Sequence, residues 1–176
     1  MTRANEDTKV VVDPIAAGRE RWERKYGPTA ADAMEAVSSL VRVREILVGF
    51  MDQFLADAGI TFGEYDVLQV IADYGNGSLA LGKIAPKARR FFNHQTSMTN
   101  VVSRLADRGF LTMRQDPKDK RVTLAELTPT GKRRLKKAHE ALATEEFGIS
   151  GLTKQEQQEL IALLYRVRLA HGDIAG

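Results

Sequence analysis

The stretch SMTNVVSRLADRGFLTMRQDPKDKRVTLAELTPTG, residues 97–131, joins a helical pattern to two strand patterns. Its first part has one apolar face at helical spacing, made by Met98, Val101, Val102 and Leu105. Gly109 ends this helix, and residues 110–114 and 122–127 have strand character. The segment QDPKDKR between the strands is too charged to bury, so it forms a hairpin tip. The sequence therefore predicts a helix followed by a hairpin with a basic tip.

Two further helices precede this unit. Thr61 and Glu64 form a capping box before an apolar helix that Gly75 closes. Asn93 caps the helix of the quoted stretch, and a short helix from about Leu81 turns inward the side chains of Ile84, Ala85 and Ala88. Two helices with a tight connection, followed by a hairpin, are the order of a winged helix-turn-helix lobe. In such a lobe the second helix fits the major groove, and the hairpin, or wing, reaches the adjacent minor groove or backbone.

Helical patterns also flank the lobe. Asp13 and Pro14 begin a short helix that ends at Gly27, and Thr29 caps a long apolar helix that ends at Gly59. Towards the C-terminus, two more helices begin at the caps Thr128 and Thr153. The long helix and the last helix carry more apolar surface than one lobe can cover, which predicts a homodimer. We expect a mainly α protein with a small β wing: an N-terminal extension (1–29), a dimerisation helix (30–58), a winged helix-turn-helix DNA-binding lobe (59–131) and C-terminal dimerisation helices (132–176).

Composition narrows the classes of function. The chain has no cysteine, which removes disulfides and thiolate chemistry, and its three histidines are scattered, so we expect no metal or cofactor. The N-terminus lacks an apolar signal core, and no apolar run approaches the ~18 residues that span a membrane, so we expect a cytoplasmic protein. A net charge of +3 is weak evidence for a nucleic-acid partner. The cations nevertheless cluster in the middle of the chain.

Polar side chains occupy the face of the second helix that its apolar residues leave free. Gln and Asn can pair bidentately with adenine, Arg can pair with guanine, and the Thr methyl group can contact thymine. Alone, such a face is usually only solvated, but the basic wing beside it favours DNA. The predicted DNA-reading residues are His94, Gln95, Thr96, Ser97, Thr99, Asn100 and Arg104, and the predicted phosphate contacts are Lys87, Arg89 and Arg90.

The stretch GSLALGKI, residues 77–84, fits the G-x-x-x-x-G-K part of a phosphate-binding loop. Ile84 stands where a magnesium-binding Ser or Thr is needed, and a capped helix precedes the stretch where a buried strand is required. We therefore interpret the match as a coincidence.

The quoted stretch resembles the recognition helix and wing of the MarR family of bacterial transcriptional regulators, and the order of helices extends the resemblance from Ala30 to the C-terminus. The resemblance implies a homodimer that binds a pseudo-palindromic operator on double-stranded DNA and usually represses. It also implies that Arg121 enters a minor groove while Asp119 holds it by a charge-assisted hydrogen bond. The wing residues that it assigns to DNA binding are Asp116, Lys118, Asp119, Lys120 and Arg121.

The same resemblance implies a small effector, often an aromatic acid or another apolar molecule, between the dimerisation helices and the lobe. The aromatic residues of that region are Phe50, Phe54, Phe62 and Tyr65, although each taken singly is more typical of a core. Two departures from the family pattern stand out. The connection from Ala88 to Ser97 is about three residues longer than is common, and Pro86 lies inside the first helix, where it removes a hydrogen bond.

Two other functions remain in competition. A winged-helix protein-interaction module without sequence-specific DNA binding has the same fold, but its interface helix more often presents apolar anchors. An enzyme has less support, because no spacing in the chain joins a nucleophile to its base. Selection of bound DNA from a random pool separates these alternatives.

Overall fold

The structure, a computed structural model, describes residues 13–88 and 95–174, with the backbone alone for residues 95–97. Its α-helices are α1 (Pro14–Tyr26), α2 (Pro28–Leu55), α3 (Phe62–Gly75), α4 (Leu81–Lys87), α5 (Gln95–Asp107), α6 (Pro129–Thr144) and α7 (Lys154–Ala170). Its strands are β1 (Ser78–Ala80), β2 (Leu111–Gln115) and β3 (Thr123–Leu127). A mainly helical protein with a small antiparallel sheet was predicted, and the structure confirms it.

The chain divides into two compact units, residues 1–46 and 47–176. In the first unit Asp13 caps α1, as predicted, by accepting the Ile15 N–H at 2.9 Å. The prediction that Thr29 caps α2 is wrong. The helix begins at Pro28, since proline is pre-organised for the first helical position and the Gly27 carbonyl already accepts the Ala31 N–H at 3.2 Å.

Arg19 ties α1 to the first turns of α2. Its guanidinium binds Asp32 at 2.7 Å and Glu35 at 3.2 Å on α2, and Glu23 at 2.7 Å on α1. Hydrogen bonding to Asp32 and the charge of Glu23 raise the pKa of Arg19. These ion pairs are exposed, so each contributes little to the free energy of folding. Their main effect is to hold α1 in one orientation against the first turns of α2.

The second unit is built around α3. The predicted capping box is present: Glu64 N–H donates to the Thr61 hydroxyl at 3.2 Å, and Thr61 N–H donates to the Glu64 carboxylate at 3.0 Å. Gly75 is the last helical residue, but the left-handed residue that ends the helix is Asn76, with φ of 48°. A Cβ on Gly75 would lie 2.9 Å from the Leu79 Cβ, so glycine allows close packing there.

The core of this unit closes around α3 with side chains from α5, α6 and the sheet. The predicted inward residues of α5, Met98, Val101, Val102 and Leu105, are all buried. On α4, Ile84 is fully buried and Ala85 packs against the core, and Ala88, directly after the helix, is fully buried too. Burial of these side chains fixes which face of α5 is left for solvent.

The sheet has three strands in the order β1-β3-β2, all antiparallel. The hairpin of β2 and β3 is the predicted wing, with Leu111 opposite Leu127 and Gln115 opposite Thr123. Strand β1 was not predicted, because three residues are too few for an alternating pattern to show. It joins α3 to the wing, and Leu127 N–H donates to the Gly77 carbonyl at 2.7 Å.

The C-terminal helices follow the predicted caps. Thr128 caps α6 and Thr153 forms a capping box with Glu156 at the start of α7, where hydrogen bonds from Thr153 lower the pKa of Glu156.

Apolar side chains stay exposed on α7, as they do on the part of α2 that belongs to the first unit. On α7 these are Ile161 (65%), Leu163 (58%) and Val167 (50%), and on α2 they include Val37 (60%) and Val41 (57%).

Among the described residues, no single helix is both long and apolar enough to cross a membrane. Helices α2 and α3 meet that test only as a pair broken by a bend.

Candidate nucleic-acid interface

Helices α4 and α5 stand where the two helices of the predicted DNA-binding motif were expected. Helix α4 continues through Pro86 to Lys87, so the proline removes one hydrogen bond from the last turn without ending the helix. The longer connection falls on residues 89–94, outside the described residues, together with the predicted contacts Arg89, Arg90 and His94 and the predicted cap Asn93.

The exposed face of α5 carries polar side chains. Thr99, Asn100 and Arg104 were predicted there, and all three are exposed while their apolar neighbours are buried. Gln95, Thr96 and Ser97 lie in the first turn of the helix, and their side chains are outside the described residues. Ser103 also lies on the exposed face. It escaped the sequence analysis because a lone serine carries no periodic signal.

The tip of the wing is folded by its own polar groups. Asp116 N–H donates to the Val122 carbonyl at 2.8 Å, and Val122 N–H donates to the Asp119 carbonyl at 2.9 Å. The Asp116 carboxylate accepts the Lys118 N–H at 2.8 Å. The side chains of Lys118, Lys120 and Arg121 therefore project from a tip whose backbone is held internally.

Asp119 and Arg121 form the most defined side-chain pair of the tip. The Asp119 carboxylate accepts the Arg121 backbone N–H at 3.0 Å and both Nε and Nη2 of the guanidinium at 3.1 Å. The side chain of Arg121 is 90% exposed. Hydrogen bonding from Arg121, first through the side chain and then through the backbone, lowers the pKa of Asp119. The carboxylate thus directs an arginine that is otherwise in solvent.

The base of the wing carries a second arginine that the sequence analysis did not single out. On β2, Arg114 Nε donates to the Glu126 carboxylate of β3 at 2.6 Å. Its side chain remains 45% exposed. The alternation of side chains along a strand could have indicated that Arg114 points outward. A single cationic residue in a strand, however, does not by itself indicate a function.

Lys87 is held beside the C-terminal part of α3. Its ammonium lies 4.0 Å from the centroid of the Tyr74 ring, a cation–π distance. Tyr74 is 53% exposed and Lys87 is half-buried, so the ammonium keeps part of its surface in solvent.

The cationic cluster on α6 divides into two groups. Arg134 donates to the Ala58 carbonyl at 3.1 Å, and Lys137 donates to the Asp57 carbonyl at 2.8 Å. Both side chains bind the end of the 3-10 turn Ala56–Ala58 that follows α2. Lys132, Arg133 and Lys136 are exposed to solvent. Lys137 is exposed as well, so four of these five cations, all except Arg134, add to a basic surface.

The stretch GSLALGKI does not form a phosphate-binding loop. Residues 78–80 form β1 and pair with β3, and α4 begins at Leu81. Within residues 13–88 and 95–174, no three His, Asp or Glu side chains come together as ligands for a metal ion.

The four aromatic residues of the predicted effector site form two pairs. Phe50 and Phe54 lie on α2 with ring centroids 4.5 Å apart, and Phe62 and Tyr65 stack at 5.8 Å on α3. Phe62 and Tyr65 are buried in the core. A cavity of about 440 Å³ between the end of α2 and α6 is lined by Phe54, but not by the other three.

Comparison with known proteins identifies the architecture. Residues 60–123, which run from α3 to the start of β3, match the MarR family. A MarR family transcriptional regulator from Streptomyces coelicolor, Sco5413, has a solved structure that aligns with a TM-score of 0.71 and 32% identity, over 82% of this chain and 99% of that one. This chain belongs to the MarR family. The family consists of transcriptional regulators, which are not enzymes.

Two curated relatives come from Bacillus subtilis (strain 168). The uncharacterised HTH-type transcriptional regulator YkoM is 36% identical over 102 residues, 57% of this chain and 63% of its own length. The HTH-type transcriptional repressor YetL is 26% identical over 110 residues, 62% of this chain and 64% of its own. The matched part of this chain thus spans slightly less than two thirds of each relative.

Proposed function

We propose that this protein is a sequence-specific DNA-binding regulator that acts in the cytoplasm as a homodimer on a pseudo-palindromic operator. The observation that carries the proposal is the pairing of two features in one lobe. A helix with an exposed polar face is followed by a basic hairpin whose arginine is oriented by a carboxylate. Membership of the MarR family supports the same function.

The face of α5 would read base edges in the major groove. Asn100 can pair bidentately with adenine, Arg104 can bind guanine or a phosphate, and the Thr99 methyl group can contact thymine. Their exposure leaves these groups free of core packing. His94, Gln95, Thr96 and Ser97 belong to the same proposed surface by their position in the sequence.

The wing and the end of α4 would supply the remaining contacts. Arg121 is proposed to enter the minor groove, where a guanidinium gains from the negative potential of a narrow groove. Lys118 and Lys120 beside it, and Lys87, Arg89 and Arg90 near α4, are proposed to bind phosphates, which set affinity rather than sequence preference.

A homodimer would cover the apolar side chains that one chain leaves exposed. Ile161 and Leu163 are two positions apart on α7, so they point to nearly opposite sides of the helix, and both are more than half exposed. A helix that is apolar on several sides is normally buried. The exposed side chains of α2, such as Val37 and Val41, support the same proposal for the first unit.

Repression and effector release are the finer parts of the proposal. The relative YetL is a transcriptional repressor, which favours repression here. A small aromatic or otherwise apolar effector would bind near Phe50, Phe54, Phe62 and Tyr65 and release the operator. Of these four, the partly exposed Phe50 and Phe54 have surface that a ligand could reach.

The test is selection of bound duplexes from a random DNA pool, followed by footprinting of the enriched sequence. We expect a motif with two related halves whose centres lie about one helical turn apart or a multiple of it. The double variant N100A/R121A serves as the control and should enrich no motif. A wild-type protein that is folded and dimeric but enriches no sequence would favour a protein-interaction module instead.

The effector part needs a separate measurement. Aromatic carboxylic acids and uncharged aromatic compounds are added to the complex of the protein with its selected duplex, and release is followed by fluorescence anisotropy. Release by at least one compound, weakened by F54A, is the expected result.

A further inference from the structure

Arg108 stands where α5 ends, and its side chain reaches the end of α2. Its backbone N–H donates to the Arg104 carbonyl at 3.1 Å, so it continues the last turn of the helix. Its Nη1 donates to both carboxylate oxygens of Glu64, at 3.1 and 2.9 Å, and its Nη2 donates to the Gly59 carbonyl. One guanidinium therefore joins α5, the first turn of α3 and the residue that follows the 3-10 turn after α2.

The carboxylate that Arg108 binds is buried. The Glu64 side chain is only 5% exposed, and it also accepts the Thr61 N–H as half of the capping box. A buried carboxylate is unfavourable without a cationic partner, and removal of that partner costs far more than the loss of a surface ion pair. The position of Arg108 is therefore determined more strictly than that of an exposed arginine.

The guanidinium also lies over an aromatic ring. Its central carbon lies 4.6 Å from the centroid of the Phe110 ring. Phe110 is buried at the start of the wing. A flat group that donates to two acceptors and lies over an aromatic ring cannot be replaced by lysine without loss of this geometry.

We propose that Arg108 is a positioning residue for operator recognition, which sets the direction of α5 relative to the end of α2. Nη1 and Nη2 each donate to a protein acceptor within the lobe, so the role proposed for Arg108 is to hold α5 and not to contact DNA. Side chains such as Asn100 discriminate bases only when they are held within a fraction of an ångström of their partners. This inference rests on the proposed function, since it concerns how α5 reads DNA.

Arg134 provides a matched control. It also donates to a carbonyl at the end of the α2 segment, that of Ala58 at 3.1 Å, and its guanidinium lies 5.8 Å from the Phe110 ring. It belongs to α6, however, and not to the recognition helix. Replacing either arginine removes one cation and one hydrogen bond to the turn that follows α2. Only Arg108, however, is directly attached to the end of α5.

The experiment compares R108Q, R108K and R134Q with the wild-type protein. Binding is measured at one salt concentration to a duplex that carries the motif selected by the wild-type protein and to a duplex with that motif scrambled. Thermal unfolding curves of all the variants are used to choose a temperature for the binding measurements at which every variant is folded. The informative quantity is the ratio of the two affinities, because partial unfolding lowers both affinities alike and leaves their ratio unchanged.

We expect R108Q to lose about tenfold or more of this ratio, the size of one lost base contact, while binding to the scrambled duplex changes little. The affinity ratio of R108K should lie between those of R108Q and the wild type. If R108Q does not fold, R108K alone provides the test. R134Q should keep the wild-type ratio. The inference is overturned if the ratio survives in the Arg108 variants, or if R134Q reduces it equally. A wild-type protein without any sequence preference would instead refute the proposed function.

Discussion

Asp119 holds Arg121 through three hydrogen bonds, one from the backbone N–H and two from the guanidinium, at 3.0 to 3.1 Å. The pair lies within the wing tip, so it forms without help from the rest of the lobe. A carboxylate at a tip proposed to bind DNA is unexpected by charge alone, since phosphates repel it. Its geometry indicates that it limits the directions open to an exposed arginine.

The first prediction concerns this pair. Arg121→Ala should cost about 1 to 3 kcal/mol of operator binding and leave folding intact, because the side chain is 90% exposed. Asp119→Ala should weaken binding in the same direction, although it deletes a negative charge. Equilibrium titration of the selected duplex measures both effects. Tighter binding by Asp119→Ala would show that the tip acts only as a diffuse basic patch.

The pH dependence of the pair follows from the lowered pKa of Asp119. Its ordinary value is 3.8, and the folded value lies below it. A carboxylate with a lowered pKa keeps its full contribution above the ordinary value and loses it as pH falls through the folded value. Operator binding between pH 6 and 8 should therefore not vary through this pair, and R121A should leave the pH profile in that range unchanged.

The second prediction separates base reading from phosphate binding. Asn100→Ala should weaken the preference at one or two base positions and leave binding to unrelated DNA unchanged. Lys118→Ala should weaken binding to all duplexes alike and reduce the salt slope by about one. Repeating the random-pool selection with each variant checks the first effect, and titration at several salt concentrations checks the second. An unchanged motif for Asn100→Ala would place the reading face elsewhere.

Much of the fold could be predicted because its signals are local. The capping boxes at Thr61 and Thr153 need only four residues each, and the buried face of α5 repeats often enough to fix its direction. The turn that ends α3 is local too, yet Asn76 rather than Gly75 adopts the left-handed conformation. Asparagine also tolerates that region, which the prediction of Gly75 as the closing residue did not take into account.

The parts that could not be predicted depend on contacts between distant residues. Strand β1 exists because β3 pairs with it across about 45 positions of sequence, and nothing in the three residues themselves requires a strand. Arg108 and Glu64 are likewise 44 positions apart. The sequence indicated Glu64 as a cap and gave no sign that its carboxylate would also bind an arginine at the end of α5.

The third prediction tests the homodimer. Ile161→Lys should raise the dimer dissociation constant by about tenfold or more, because an unpaired charge is unfavourable in an apolar interface. The control is Gln155→Lys, which adds the same charge in the polar first turn of α7 and should leave the dimer intact. Sedimentation equilibrium at micromolar protein measures both. A wild-type monomer at that concentration would contradict the proposed assembly.

The fourth prediction concerns the junction between the wing and α6. A Cβ on Gly131 would lie 2.1 Å from the Phe110 carbonyl oxygen and 3.1 Å from its carbon, so backbone rather than a flexible side chain would have to move. The same carbonyl accepts the Thr128 N–H at 3.1 Å, and the Thr128 hydroxyl accepts the Gly131 N–H at 3.0 Å. Gly131→Ala should therefore separate the first turn of α6 from the start of β2 and destabilise the fold by about 2 kcal/mol or more.

Gly82→Ala is the matched control. A Cβ on Gly82 would meet nothing within 4 Å and the site is helical, so this substitution should stabilise the fold by up to about 1 kcal/mol. Urea unfolding of both variants gives the comparison, and equal stabilities would mean that the wing and α6 are not held by this contact.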